Sequence, residues 1–355
     1  MQSAERRPWG RTRDGVEVEL FTLINRGGLS AAVATYGATV VSLRAPDRQG
    51  RLDEVVLGHD RLEGYLDEER SYLGATVGRS ANRIARGELP IDGRLHRLAC
   101  NDGAHHLHGG RRGFDKVVWA AEAASDGRAA VLLRRVSPDG EEGYPGALAV
   151  TVDFELTDQD ELAIEATATC DAPTVCNLAH HGYFNLERPA RRDVLGHRLW
   201  IDADRITSVG PGLIPTGELA AVDGTPLDFR TPTPIGARLG VADGQLALAG
   251  GYDQNWVLNR AGGAGLALAA RVVGPETGRT LEVWTTEPGL QFYSGNFLDG
   301  RLVGRGGEAY GRHAGLCLEA QHFPDSPHQP GFPSTLLRPG ERYRTRTVYR
   351  LGVER

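Results

Sequence analysis

The feature that most constrains this chain is apolar alternation with a period of two. Leu148, Val150, Val152, Phe154 and Leu156 alternate with Ala149, Thr151, Asp153 and Glu155. After a polar link, Leu162, Ile164, Ala166 and Ala168 alternate with Ala163, Glu165, Thr167 and Thr169. Successive side chains of a strand face opposite ways, so each stretch has one apolar and one polar face, and the short link makes an antiparallel hairpin. The pattern recurs in 266–272 and 280–286 around the turn 274–278. It returns near the end, where Tyr343, Thr345, Thr347 and Tyr349 alternate with Arg342, Arg344, Arg346 and Arg350. Further strands are expected at 16–24, 29–43 and 117–121. The best helical stretch, 60–69, is short and interrupted by Gly64. Without amphipathic helices of normal length, Rossmann and TIM-barrel architectures are disfavoured. Glycine fits the same picture: 47 of 355 residues, about twice ordinary usage, with no collagen period, implies many tight turns between short strands. The stretches 210–217 and 324–333 read as loops. No Pro/Ser linker, repeat or low-complexity segment divides the chain. The expected fold is all-β, one large antiparallel sandwich over 1–355 with few short helices.

Composition removes several functions. A net charge of −6 provides no basic field for nucleic acid or an anionic membrane. Lys116 is the single lysine and follows Asp115, so a phosphate-binding Gly-Lys loop is absent and Schiff-base chemistry has one poor candidate. No apolar run approaches the ~20 residues of a membrane span, and the first ten residues have no apolar signal core. Cys100, Cys170, Cys176 and Cys317 show no C-x-x-C spacing; reduced thiols are expected rather than a disulfide framework, with the cytoplasm as the default compartment.

Nucleophile-elbow, H-E-x-x-H and EF-hand motifs are missing. His105-His106-Leu107-His108 raises a metal reading, but the residues at 109–113 are only glycine, arginine and no carboxylate, so hydrogen-bonding histidines are the better expectation. In His180-His181, neighbouring side chains on a strand face opposite ways, so one can enter a cleft; read on its own, the pair would be two partly exposed surface histidines. Glu319 stands in the apolar run Leu316-Cys317-Leu318-Glu319-Ala320. A buried carboxylate is costly for structure and, with its raised pKa, useful as a general base. Asp253 raises the same question more weakly, and Arg83 taken alone would be an exposed arginine with a solvated head.

Together and in order, these segments resemble the aldose 1-epimerase (galactose mutarotase) family. The succession is Gly78-Arg79-Ser80-Ala81-Asn82-Arg83-Ile84, Leu107-His108-Gly109-Gly110 with Gly113-Phe114-Asp115-Lys116, and Asp139-Gly140-Glu141-Glu142-Gly143-Tyr144-Pro145-Gly146. It continues with His181-Gly182-Tyr183-Phe184-Asn185-Leu186, Gly251-Tyr252-Asp253, the run from Thr286 to Tyr293, and Leu318-Glu319-Ala320-Gln321. The resemblance implies a single β-supersandwich domain with its site on the concave face of the larger sheet. It also implies interconversion of α- and β-anomers of an aldose such as galactose or glucose, with no metal or organic cofactor and no partner beyond the sugar. A monomer or weak homodimer is expected. By motif, Glu319 is the general base and His181 the general acid, while Asn82, Arg83, His108, Asp253 and Gln291 hold sugar hydroxyls. Position 180 is His where the family usually has Asn, and position 182 is Gly where Ser or Thr is usual.

Ring opening needs the C1 hydroxyl deprotonated while the ring oxygen is protonated. These oxygens share one carbon, so acid and base must approach from different directions. Strands about 140 residues apart in sequence can supply them, whereas sequence neighbours would not. An ionised Glu319 is expected to favour a charged His181. The rival readings are a non-catalytic sugar-binding or sensing protein, which would lack the acid or the base, a glycoside hydrolase using Glu319 with Asp253, and an epimerase of hexose 6-phosphates.

Overall fold

The computed structural model describes residues 3–67, 71–187, 193–260 and 265–354. The alternating segments form strands with the expected faces. Leu148–Leu156 pairs with Glu161–Cys170 from Leu148 opposite Cys170 to Leu156 opposite Leu162, and Val150, Val152, Phe154, Leu162 and Ala166 are buried. Tyr343–Val353 extends this pair, with Arg344 on Glu165 and Arg350 on Glu161 across its exposed face. The resulting sheet has nine strands, in the order Ala120–Ala123, Ala130–Ser137, Leu148–Leu156, Glu161–Cys170, Tyr343–Val353, Arg279–Thr285, Ala267–Val273, Arg198–Ile201, Thr233–Pro234.

A six-stranded sheet packs against it, in the order Tyr183–Phe184, Leu316–Gln321, Gly289–Tyr293, Asp253–Leu258, Ala203–Val209, Pro215–Ala221. The core lies between them: Trp256, Leu290, Phe292 and Leu318 from the smaller sheet meet Val152, Phe154 and Tyr349 from the larger in one apolar cluster. The Tyr349 hydroxyl donates to the Leu318 carbonyl at 3.1 Å and ties the layers together. A five-stranded N-terminal sheet, Ser3–Arg11 to Leu52–Glu54, joins the smaller sheet where Val56 bridges Phe184. The all-β sandwich expected from alternation is therefore what forms.

Three local expectations need correction. The stretch 29–43 is two strands, Ser30–Ala34 and Thr39–Pro46, because the chain reverses between them and the Gly37 amide bonds the Val117 carbonyl instead of a neighbouring strand. The segment 210–217 is not wholly loop, since Pro215–Ala221 is an edge strand. A short helix at 244–249, capped by the Asp243 side chain on the amides of Gln245 and Leu246, was not expected. The helix expected at 60–69 is Leu62–Asp67, and residues 68 and 69 lie outside the described ones. Among the described residues no helix is long and apolar enough to cross a membrane.

Arg79 is 1% exposed and lies over the Tyr144 ring. Its guanidinium donates to the carbonyls of Ser137, Pro138, Pro145 and Gly146 and to the hydroxyls of Ser137 and Thr174, pinning three loops beneath the 78–84 segment. Removing it strands several buried acceptors at once, each worth roughly 1–3 kcal/mol. Arg79→Met is therefore expected to lower unfolding stability by about 4 kcal/mol, read as a fall in urea midpoint at unchanged slope. A loss below about 1 kcal/mol would contradict this role.

Candidate active site

The smaller sheet carries the site on the face turned away from the core. Asp253, Tyr293, Cys317 and Tyr183 lie directly opposite one another on four neighbouring strands, and Asn255, Gln291 and Glu319 form the next row. Directly opposed side chains share a face, so Asp253 and Glu319 project together into a cleft of about 980 Å³. The opposite wall comes from segments far away in sequence. Ala179–His181 pairs with Ala75–Val77 and delivers His181, while the ribbon of Arg83–Ile84 with His106–Leu107 delivers Arg83 and leads into His108.

His181 Nε2 stands 3.7 Å from Glu319 Oε1. The imidazole is held between Tyr183, stacked at 5.1 Å, and Tyr72 at 5.6 Å, with Cys317 Sγ 3.7 Å behind Nδ1. Burial pulls His181 down to about 4. Burial, with Asp253 adding to it and Arg83 opposing, pushes Glu319 well above the usual carboxylate range. Burial of both groups thus works against the charged pair, while an ionised Glu319 at this distance favours a charged His181. The two groups titrate as a pair.

His108 and Asn82 are locked together. The Asn82 amide donates to His108 Nδ1 at 3.2 Å and the His108 amide donates to the Asn82 carbonyl at 3.1 Å, both residues holding positive φ. With Nδ1 an acceptor, the proton of neutral His108 sits on Nε2. His108, His181 and Glu319 place ligand-type atoms within 4.8 Å of one another, but a protonated Nε2 is a hydroxyl donor and a poor metal ligand. The sequence triplet disperses as well: His106 spends both nitrogens on the Ala99 carbonyl and the Tyr144 hydroxyl, and His105 Nδ1 accepts the Arg86 amide.

Of the residues singled out from sequence, Asn82, Arg83, His108, His181, Asp253 and Glu319 line one cleft. Gln291 does not line it; its amide donates to Asp253 Oδ1 at 2.8 Å and so orients that carboxylate from below. Arg83 is not a solvated surface arginine. Its side chain is 11% exposed and donates to Asp102 at 2.9 Å. Nor are the paired histidines surface residues: both are buried. His180 faces the core, edge-on to Tyr349 and Phe154. A Cβ at 182 would lie 2.9 Å from His180 Nε2 and 3.0 Å from the Phe184 ring. The two departures from the family pattern are thus one packing change, a larger residue at 180 accommodated by glycine at 182, and it lies beneath the cleft.

Sequence reasoning did not assign Tyr183 or Cys317, though each stands two residues from an assigned one, Cys317 on the strand that carries Glu319 and Tyr183 just past the strand that carries His181. Tyr72 and Asp102 carried no such signal.

A family model described as aldose 1-epimerase matches residues 19–350. The galactose mutarotase of Bos taurus is 46% identical over 92% of this chain and 92% of its own length. The aldose 1-epimerase of Escherichia coli K12 is 40% identical over 96% of this chain and 97% of its own. In three dimensions, the crystal structure of galactose 1-epimerase from Lactobacillus acidophilus superposes with a TM-score of 0.87, at 29% identity and full coverage of both chains. With sequence, fold and cleft in agreement along nearly the whole length, the chain belongs to the aldose 1-epimerase family.

Proposed function

We propose that this protein interconverts the α- and β-anomers of an aldohexose, galactose or glucose, with Glu319 as general base and His181 as general acid. The observation that carries the reading is the pair itself: a carboxylate and an imidazole from separate strands, 3.7 Å apart and facing one cleft from two directions. Glu319 takes the proton of the C1 hydroxyl as His181 Nε2 delivers one to the ring oxygen. The bond from C1 to the ring oxygen breaks and an aldehyde forms. Rotation about C1–C2 exposes its other face, the hydroxyl re-adds there, and both proton transfers run backwards. Each transfer contributes about 10²–10⁴-fold, enough for a reaction that water already performs slowly.

Arg83 and the Nε2–H of His108 donate to sugar hydroxyls, Asp253 accepts from them, and Asn82 fixes His108. Gln291 acts through Asp253. Both acid and base are present, which weighs against a sugar sensor without catalytic activity. The reading treats 1–355 as one mutarotase-like domain, in keeping with an apolar cluster that runs from Phe21 to Leu351, and the four free cysteines suit a reducing cytoplasm.

The form with ionised Glu319 and charged His181 holds as many protons as the neutral form, so the rate follows the macroscopic titrations of the pair. As pH falls through about 4, His181 takes a second proton and the rate drops. As pH rises through the elevated Glu319 value, the last proton leaves and the rate drops again. A bell-shaped profile with a broad near-neutral plateau is expected, measured by pH jump so that chemistry is read before acid unfolding. A rate rising monotonically from about pH 4 to pH 10 would overturn the assignment.

A further inference from the structure

The cleft face of the smaller sheet surrounds Glu319 with buried polar side chains, of which Thr207, Asn255 and Gln321 have no part in the reaction above. Register places Thr207, Asn255, Gln291 and Glu319 opposite one another on four neighbouring strands, and Gln321 follows two residues after Glu319 on the same face. Exposure runs from 0% at Thr207 and Gln321 to 3% at Gln291. Yet Thr207 Oγ1, Gln291 Oε1, Glu319 Oε2 and both amide atoms of Asn255 and Gln321 have no protein partner. An unpaired buried polar atom costs roughly 1–3 kcal/mol. Seven in one patch would consume a typical total stability of about 5–15 kcal/mol.

The patch is shaped to be polar. Gly289 lies opposite Gln321, and a Cβ there would come 2.5 Å from Asn255 Oδ1, so the missing side chain makes room for the amide. Buried water typically makes about three hydrogen bonds to groups left in this condition.

We propose that Asn255 and Gln321 are positioning residues whose amides, with Gln291 and through bridging ordered water, hold the carboxylate oxygen of Glu319 that does not face His181. The inference rests on Glu319 being the base. A carboxylate locked on one oxygen presents the other to the C1 hydroxyl in a fixed direction, and the O–H donors of water held by these amides favour its ionised form. The other groups facing Glu319 are Arg83, which favours ionisation, and Asp253, which opposes it. His181 and His108 stand across the cleft. Tyr293, Cys317 and Tyr349 lie close by, all kept neutral by burial.

The test compares wild type, Gln321→Met, Asn255→Leu and Glu319→Gln by mutarotation of α-D-galactose across pH, with thermal melting alongside. For Gln321→Met or Asn255→Leu, whichever melts as wild type does, kcat should fall about tenfold and KM stay within about twofold. The alkaline limb should move up by about one pH unit, because the water that donates to the ionised carboxylate is no longer held in place. A lowered melting temperature with the alkaline limb unmoved would mean structural support alone and would overturn the proposal. So would wild-type kinetics in both variants while Glu319→Gln is inactive. Turnover retained by Glu319→Gln would instead remove the base assignment on which the proposal rests. High-resolution diffraction of the wild type gives a check independent of the variants, since the proposal requires ordered water between Glu319 Oε2 and these amides and fails without it.

Discussion

Replacing Glu319 with glutamine is expected to lower kcat for anomer interconversion by about 10³-fold while galactose affinity stays within about threefold. The substitution keeps the shape of the side chain and its capacity to accept a sugar hydroxyl, so binding through Arg83, His108 and Asp253 persists. What it removes is the one atom able to take the C1 proton opposite His181 Nε2, 3.7 Å away. Folding should not suffer, because a buried carboxylate beside Asp253 is held against the cost of desolvation. Steady-state polarimetry with binding by calorimetry separates the two effects. Full turnover with lost affinity would make Glu319 a binding residue and leave the base unassigned.

Acid should unfold this protein early and steeply. His106, His181 and His197 are held down to about 4, His180 to about 3 and His108 well below its ordinary value, in each case mainly by burial. Below pH 6.5 the unfolded chain binds a proton at each of these positions and the native chain refuses it. Stability is therefore complete above that value and is lost as pH falls toward the folded values. Each contributes about 1.4 kcal/mol per pH unit. Glu319 and Asp253, both raised by burial, act in the opposite sense above pH 4 and offset part of the slope. The net fall below pH 6.5 is expected to consume ordinary stability before the pH reaches the folded histidine values of about 4. Circular dichroism during acid titration should show a cooperative transition in that interval. A urea midpoint unchanged from pH 7 to pH 4.5 would show that these histidines protonate without unfolding.

What could be read from sequence was local. The hairpin from Leu148 to Cys170 was legible because each residue's face follows from its neighbours' polarity, and register follows from a short turn. The stretch 29–43 was not, because the reversal before Thr39 depends on a bond to Val117 that no local pattern announces. Arg79 was one arginine among many, and its burial under three loops is set by residues 58–95 positions away.

The site divided in the same way. His181 and Glu319 stood out through ordered motifs, and the supposition that they meet came from resemblance and the needs of the chemistry, since alternation says nothing of which strands become neighbours. The alignment of Asn255, Gln291 and Glu319 across three strands follows from sheet order, so the patch beneath the base was invisible beforehand. The extent to which burial acts on the acid–base pair was hidden for a related reason. Pairing can be guessed from residue types, whereas desolvation depends on the packing of Tyr72, Tyr183 and Cys317 around the imidazole.

Anomer interconversion is read without a coupling enzyme from the optical rotation of freshly dissolved α-D-galactose, followed with EDTA-treated wild-type protein and with buffer alone. With the protein, relaxation should run much faster than in buffer and to the same final rotation, because a catalyst leaves the anomeric equilibrium where it is. Relaxation no faster than in buffer, with galactose binding still detectable by calorimetry, would contradict the proposed activity and make the cleft a sugar-binding site without the chemistry.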